Sequence, residues 1–230
     1  KIGRVLNKGV AGVFSLASGD VFDASRLEKT HDSSFAYLDT PGRHPVASIQ
    51  QPEIEIREAL VRRTDERAKL RGLTLDKEFE SKVTRIAVTA DTPPAVLTSL
   101  VKTKAVKGVI LEGLGAGNIP NIKKAEHQNK RLSKTDQSWI DAIQVATDGG
   151  VHVAVLSPFK DGQVNLGRYE LGALAEKAGA MSLGSLTPAM ADAKFRQAIA
   201  KYPDDPAMIQ RFLLTDLAGE LSRSDGRPQE

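Results

Sequence analysis

The sequence predicts an α/β protein in which a parallel sheet flanked by helices follows a region of β-hairpins. Three observations carry this expectation. After residue 82, short apolar runs alternate with segments of helical length and period. One of those runs, Val109 to Leu111, ends in a glycine-rich corner, Gly113-Leu114-Gly115-Ala116-Gly117-Asn118-Ile119-Pro120. Before residue 62, strand-like segments are joined by turn chemistry with little helical period between them.

In chain order, Val10 to Leu16 reads as a strand, Ala17-Ser18-Gly19-Asp20 as a turn and Val21-Phe22 as the returning arm of a hairpin. Residues 23–40 are polar and irregular, anchored by Phe35, Tyr37 and Leu38, and Pro41-Gly42-Arg43-His44-Pro45 closes them. Val46 to Ile49 and Glu53 to Arg57 flank Gln50-Gln51-Pro52 as a second hairpin, its later arm alternating with period two. Residues 1–61 thus form one region, the highly charged stretch 62–82 a linker, 83–222 an α/β domain and 223–230 a polar tail.

Within the α/β domain, Arg85 to Thr89 is a strand and Pro94 to Lys102 a helix entered through Pro93-Pro94. Lys107 to Leu111 is a buried strand. Asp136 to Thr147 is a helix with Thr135 as its cap and Trp139, Ile140, Ile143 and Val145 toward its buried side. Gly150 to Leu156 is a buried strand, with His152 enclosed between Val151 and Val153, and 157–164 is a loop. Glu170 to Ala178 is a helix stopped by Gly179, and prolines open two more, 188–201 and 206–218. Strands separated by such helices imply right-handed crossovers, a parallel sheet covered on both faces, and ligands at the carboxyl ends of its strands. The 113–120 corner and the 157–170 loop both fall there. The glycines permit positive φ and close backbone approach, and Asn118 is placed to cap the next segment.

Composition narrows the function classes. The chain has 230 residues, 40% hydrophobic and 27% charged, an ordinary globular balance. With no cysteine there is no disulfide, zinc–thiolate site or thiol nucleophile, which fits a reducing, cytoplasmic compartment. A net charge of +3 is too small for a nucleic-acid partner, and the basic cluster around Arg62, Arg67 and Arg71 is interrupted by Asp65 and Glu66. No apolar run reaches membrane-spanning length. His31, His44, His127 and His152 show no ligand spacing, so neither a metal nor another cofactor is expected. The corner carries no G-x-G-x-x-G and no Gly-Lys-Ser/Thr, which sets aside dinucleotide and phosphate loops. The start at Lys1, without Met, implies a segment upstream.

Four motifs, in order, resemble the bacterial L-asparaginase (asparaginase/glutaminase) family. They are the strand–turn–strand from Gly12 that leads to Lys29-Thr30, then Pro45 to Ile49, then Gly108 to Pro120, and last Gly167-Arg168-Tyr169-Glu170 through Gly184 to Pro188. Together they cover nearly the whole chain. The resemblance implies a Rossmann-like C-terminal domain, preceded here by the end of an N-terminal domain. It also implies hydrolysis of the side-chain amide of Asn, or of Gln, through an acyl-enzyme on a threonine. In that family a lysine hydrogen-bonded to a threonine and an aspartate completes a Thr-Lys-Asp triad, and Lys29 matches the lysine. Neither Thr-Gly-Gly-Thr nor Gly-Thr-Asp-Thr occurs here, so the chain reads as the second half of such an enzyme, with the nucleophile outside it.

The chemistry needs a lysine because a threonine hydroxyl is a weak nucleophile until a neighbouring base accepts its proton. By the same resemblance, Asn118 and Gly117 belong to a corner that holds the amino-acid end of the substrate or lines an effector pocket. Glu170, at a segment near the family's dimer contact, could meet a substrate ammonium. The implied partners are Asn or Asp, a second or further copies of the chain in a homodimer or homotetramer, and the absent N-terminal lobe. The competing reading is a non-catalytic module of the same fold, used for dimerisation or amino-acid sensing. Retention of Lys29 favours the enzyme, and loss of both threonines from the chain favours the module.

Overall fold

The computed structural model describes residues 10–50, 53–57, 60, 62–63, 75–120 and 138–222. They fall into two compact units, one from Lys1–Lys77 with Asp216–Glu230 and the other from Glu78–Thr215. The expected linker residues 64–74 and the tail 223–230 lie outside the described residues.

The strands of the first unit are β1 (Val10–Ala11), β2 (Phe14–Ala17), β3 (Asp20–Asp23), β4 (Glu28–Lys29), β5 (Leu38–Asp39), β6 (Ala47–Gln50), β7 (Glu53–Ile56) and β8 (Arg62–Arg63). Both expected hairpins are present, and they join as one antiparallel sheet in the order β2-β3-β6-β7. The first is closed by Ser18 and Gly19, both at positive φ, the turn whose twist matches the flanking strands. Val21 and Ala47, directly paired, are buried against Phe14, Ile49, Ile54 and Ile56 on the face that period-two alternation turns inward, and Val46, just before β6, joins the same cluster. Arg62 and Arg63, at the start of the stretch expected to link, pair with Ala11 and Val10. The polar segment 23–40 contains β4 and β5, antiparallel partners of two residues each.

The second unit is the α/β layer. Its elements are β9 (Val83–Ala87), α1 (Ala95–Lys102), β10 (Gly108–Glu112), α2 (Trp139–Asp148), β11 (His152–Leu156), α3 (Glu170–Lys177), β12 (Ala180–Ser182), α4 (Pro188–Lys201) and α5 (Pro206–Leu213). The four strands are all parallel and lie in sequence order. β12 is an addition to the sequence expectation: three residues directly after a helix stop are too few to show a period. α5 ends at Leu213 rather than 218, and the residues after Thr215 group with the first unit.

Each crossover helix packs on the same face of this sheet. Leu97 of α1, Ala142, Ile143 and Ala146 of α2, and Ala175 of α3 share one buried cluster with Val109, Leu111, Val153 and Val155. Sequence-order strands with crossovers of one hand require this. The opposite face is left for α4, whose Phe195 and Ile199 approach Gly108 so closely that a Cβ there would fall 2.9 and 2.5 Å from them. Both faces are therefore covered, and β10 and β11 are buried along almost their whole length.

The start and face of α2 differ from the sequence expectation. Ser138 caps it: its hydroxyl accepts from the Asp141 amide at 3.1 Å while the Asp141 carboxylate accepts from the Ser138 amide at 3.1 Å, and Thr135, the expected cap, lies outside the described residues. The buried face is Trp139, Ala142, Ile143 and Ala146, spaced by three, one and three, which leaves Val145 exposed. His152 is buried as expected, with Nε2 2.8 Å from the Pro203 carbonyl oxygen. Among the described residues no helix is long and apolar enough to cross a membrane.

Replacing Ser138 with Ala removes half of a reciprocal cap, and we expect a loss of about 1 kcal/mol. The same change at Ser99, exposed on α1 and joined to that helix's C-cap only through its backbone carbonyl, should move the urea midpoint far less.

Candidate functional site

At the carboxyl ends of β10 and β11 the chain folds into an open pocket of about 520 Å³. It lies wholly within the second unit. Gly115, Ala116 and Asn118 form one wall, and Phe159, Asp161 and Gln163 with Arg168 and Tyr169 form the other. Strand order does not reverse among the described strands, so the crevice is made by two loops rather than by a topological switch point.

The glycine corner is a closed turn. The Leu114 amide donates to the Asn118 carbonyl and the Asn118 amide to the Leu114 carbonyl, each at 2.8 Å. Gly115 and Gly117 take φ of +57° and +100°. At Gly117 there is also no room, since an added Cβ would lie 2.7 Å from Val164 Cγ1. The corner is then tied to the second wall. The Asn165 amide donates to the Ala116 carbonyl at 3.0 Å, and the buried Ser157 hydroxyl donates to the Gly115 carbonyl at 2.8 Å. Gly162 sits so close to Ser157 that a side chain would fall 2.0 Å from its Oγ.

The wall after β11 is shaped by a short 3₁₀ turn, Leu166–Arg168, leading into α3. Leu166 is buried and Gly172 of α3 passes over its carbonyl, where a Cβ would be only 2.4 Å away. This packing leaves Arg168 and Tyr169 facing outward, the guanidinium carbon 5.5 Å from the ring centroid. Amide, carboxylate, guanidinium and aromatic groups thus meet around one opening. That mixture can hold a small zwitterion by its two ends.

Of the residues expected from the sequence, Asn118 lines this pocket, half-buried. Gly117 is buried behind it and is not among the pocket residues. Glu170 begins α3 exposed and is not among the pocket residues. Lys29 lies in the first unit on β4, exposed, paired through its backbone with Leu38. Any capping role of Asn118 toward the residues beyond Pro120 lies outside the described residues. Phe159, Asp161 and Gln163 do not stand out in the sequence as site residues; their only signal is membership of the loop at the strand ends. Arg168 is marked in the sequence only as part of the Gly167–Glu170 motif, not as a binding side chain.

Residues 82–213 match the model of the glutaminase/asparaginase C-terminal domain. The D subunit of the glutamyl-tRNA(Gln) amidotransferase of Metallosphaera sedula is 26% identical over 197 residues, 86% of this chain and 40% of its own length. Its counterpart from Thermococcus kodakarensis is 30% identical over 148 residues, 64% of this chain and 30% of its own. The chain spans well under half the length of these two curated relatives. Among solved structures, the thermostable L-asparaginase from Thermococcus kodakarensis superposes with a TM-score of 0.74 at 22% identity, covering 94% of this chain and 59% of that one. L-asparaginase I from Vibrio cholerae gives 0.73 at 19%, covering 96% and 62%. At such identities the likeness to the solved structures shows the fold.

Gly117→Ala combines positive φ with a clash, so we expect a loss of about 2–4 kcal/mol, against about 1–2 for Gly115→Ala, which has open space around it. Equal shifts in urea midpoint would show that φ alone, not the approach of Val164, requires glycine at 117.

Proposed function

The chain belongs to the glutaminase/asparaginase family through its C-terminal domain, and from that premise we propose that it is part of an asparaginase-type amidohydrolase. The substrate is L-asparagine, with L-glutamine as the alternative, and the products are aspartate, or glutamate, and ammonia. What chiefly supports this is the continuous match of residues 82–213 to that domain, preceded in the same chain by the segment carrying Lys29.

In the proposed reaction a threonine hydroxyl from outside this chain attacks the side-chain amide carbon. Lys29 accepts the hydroxyl proton as the C–O bond forms. The C–N bond then breaks, ammonia leaves with a proton, and water hydrolyses the acyl ester to a carboxylate and free threonine. Lys29 is exposed on a two-stranded sheet in which both strands are edges, so its amine is accessible to a group brought by another segment. Asn118 and the pocket around it take the amino-acid end of a substrate or effector. The intact protein works as a homodimer or homotetramer in the cytoplasm.

One observation favours a second reading, amino-acid sensing without catalysis. The pocket that holds Asn118 is built entirely by the second unit, whereas Lys29 belongs to the first. The two readings separate on one substitution. Lys29→Met in the intact protein should lower ammonia release from L-asparagine by about 10²–10⁴-fold, the usual contribution of a positioned base. Because Lys29 is exposed, thermal stability should hardly change. Undiminished ammonia release would overturn the role of Lys29 as the base, and asparagine binding by an intact wild-type protein that releases no ammonia would favour the sensor.

A further inference from the structure

Lys29 sits on an unusually small support. β4 and β5 are two residues each, joined by the Glu28–Asp39 and Lys29–Leu38 pairings, with one further backbone bond from the Thr30 amide to the Tyr37 carbonyl at 2.9 Å. A two-stranded ribbon of this size is not stable alone. Something else must fix the lysine.

The structure supplies it at the open end of the ribbon. Arg26, three residues before Lys29, is 2% exposed, an extreme value for an arginine. Its Nε and Nη2 both donate to the carbonyl of Pro41, two residues beyond β5. One guanidinium therefore ties the chain entering β4 to the chain leaving β5. Its third arm, Nη1, donates to the carbonyl of Glu220, in the segment by which the C-terminal part of the chain joins the first unit.

That segment is shaped to receive it. Glu220 is also 2% exposed, and its carboxylate accepts from the Leu217 and Ala218 amides at 3.0 and 2.6 Å. Gly219 adopts φ +92°, and its amide donates to the Asp216 carboxylate at 2.8 Å. The tight loop that results presents three successive carbonyls. Gly219 and Leu221 accept from the two terminal nitrogens of Arg43, each at 3.1 Å, and Glu220 between them accepts from Arg26. Arg43 is linked back to the same ribbon end, because its own carbonyl accepts from the Thr40 hydroxyl at 3.1 Å.

We propose that Arg26, held by the Glu220 loop, is a positioning residue for Lys29. It touches no substrate. It sets where the β4–β5 ribbon, and hence the amine, stands. Arginine suits the task because a planar fork with five donors in fixed directions reaches the Pro41 and Glu220 carbonyls at once, with less freedom than a lysine ammonium would keep. Ordinary packing would need apolar side chains in this place, and the segment 23–40 has few to offer. The inference rests on Lys29 being the base in the proposed reaction, so the test must separate the two.

In the intact protein, Lys29→Met, Arg26→Ala, Arg26→Lys and Glu220→Gln would be compared for kcat and KM of ammonia release from L-asparagine. Hydrogen exchange would be followed at the Thr30 amide. Arg26→Ala should lower kcat by about 10²-fold, the cost of a misplacement near 1 Å, with KM changed less than about threefold. Arg26→Lys should recover part of kcat, Glu220→Gln should lower it by a smaller factor, and Thr30 exchange should quicken in both Ala and Gln variants. If Lys29→Met abolishes release while Arg26→Ala and Glu220→Gln keep wild-type kcat, positioning is wrong and the reaction assignment stands. If Lys29→Met changes nothing, the role of Lys29 as the base falls, and the positioning role with it. Should Arg26→Ala not fold, Arg26→Lys and Glu220→Gln decide the matter, and unaltered kcat with unaltered Thr30 exchange in both overturns the proposal.

Discussion

The second unit depends on how closely two backbones approach at the end of the parallel sheet. Where Gly117 meets residues 155–166 there is space for a hydrogen but not for a methyl group, since a Cβ there would lie 2.7 Å from Val164, and within the second segment Gly162 is packed as closely on Ser157. Once side chains are excluded, carbonyls of the corner can be reached directly. The Ser157 hydroxyl takes one and the Asn165 amide another, so polar backbone buried by the approach is satisfied. The pocket is the outer side of this contact. Its walls are loops, but loops pinned to buried strands, so the groups they carry are held more rigidly than loop residues usually are.

Legibility in the sequence followed burial. β10 and β11 are buried on both faces and read as unbroken apolar runs, and α4 is opened by a proline in the first turn. Where an element is short or its signal is shared, reading fails. β12 is three residues and hides behind a helix stop. Ser138 and Asp141 could have been read as a capping box, three residues apart, but an acceptable cap residue stands nearby at 135 and the sequence alone does not choose between them. Val145 is apolar in a helix whose inward spacing passes it by. Of the site, the glycine corner could be seen because it punctuates a strand. Asp161 and Gln163 could not, because nothing in a polar loop announces which side chains turn toward a neighbour, and Arg168 showed only as part of a motif.

Arg26 is the sharper failure. In sequence it is one more charge in a polar, irregular stretch, where exposure is the ordinary expectation. Its burial depends on a segment almost two hundred residues away, and no local pattern encodes that meeting. A buried guanidinium without partners would cost several kcal/mol, so its donors must be met wherever the chain places it. Here backbone carbonyls meet them, and those carbonyls converge only because Glu220 and Gly219 fold the loop that presents them.

The same bonds give the C-terminal segment a role that its composition would not suggest. The chain leaves the first unit near residue 77 and returns to it at 216. A return held by apolar contacts alone could slide, since dispersion and burial have little direction. A return held by forked N–H groups on three consecutive carbonyls has one register, because displacement by a residue would strand buried donors. The loop after α5 is therefore fixed in register against the ribbon that carries Lys29. It follows that changes at the far end of the chain reach that ribbon through hydrogen-bond geometry rather than through a shared hydrophobic core, and that a loss of fit there is felt as a shift in position before it is felt as unfolding.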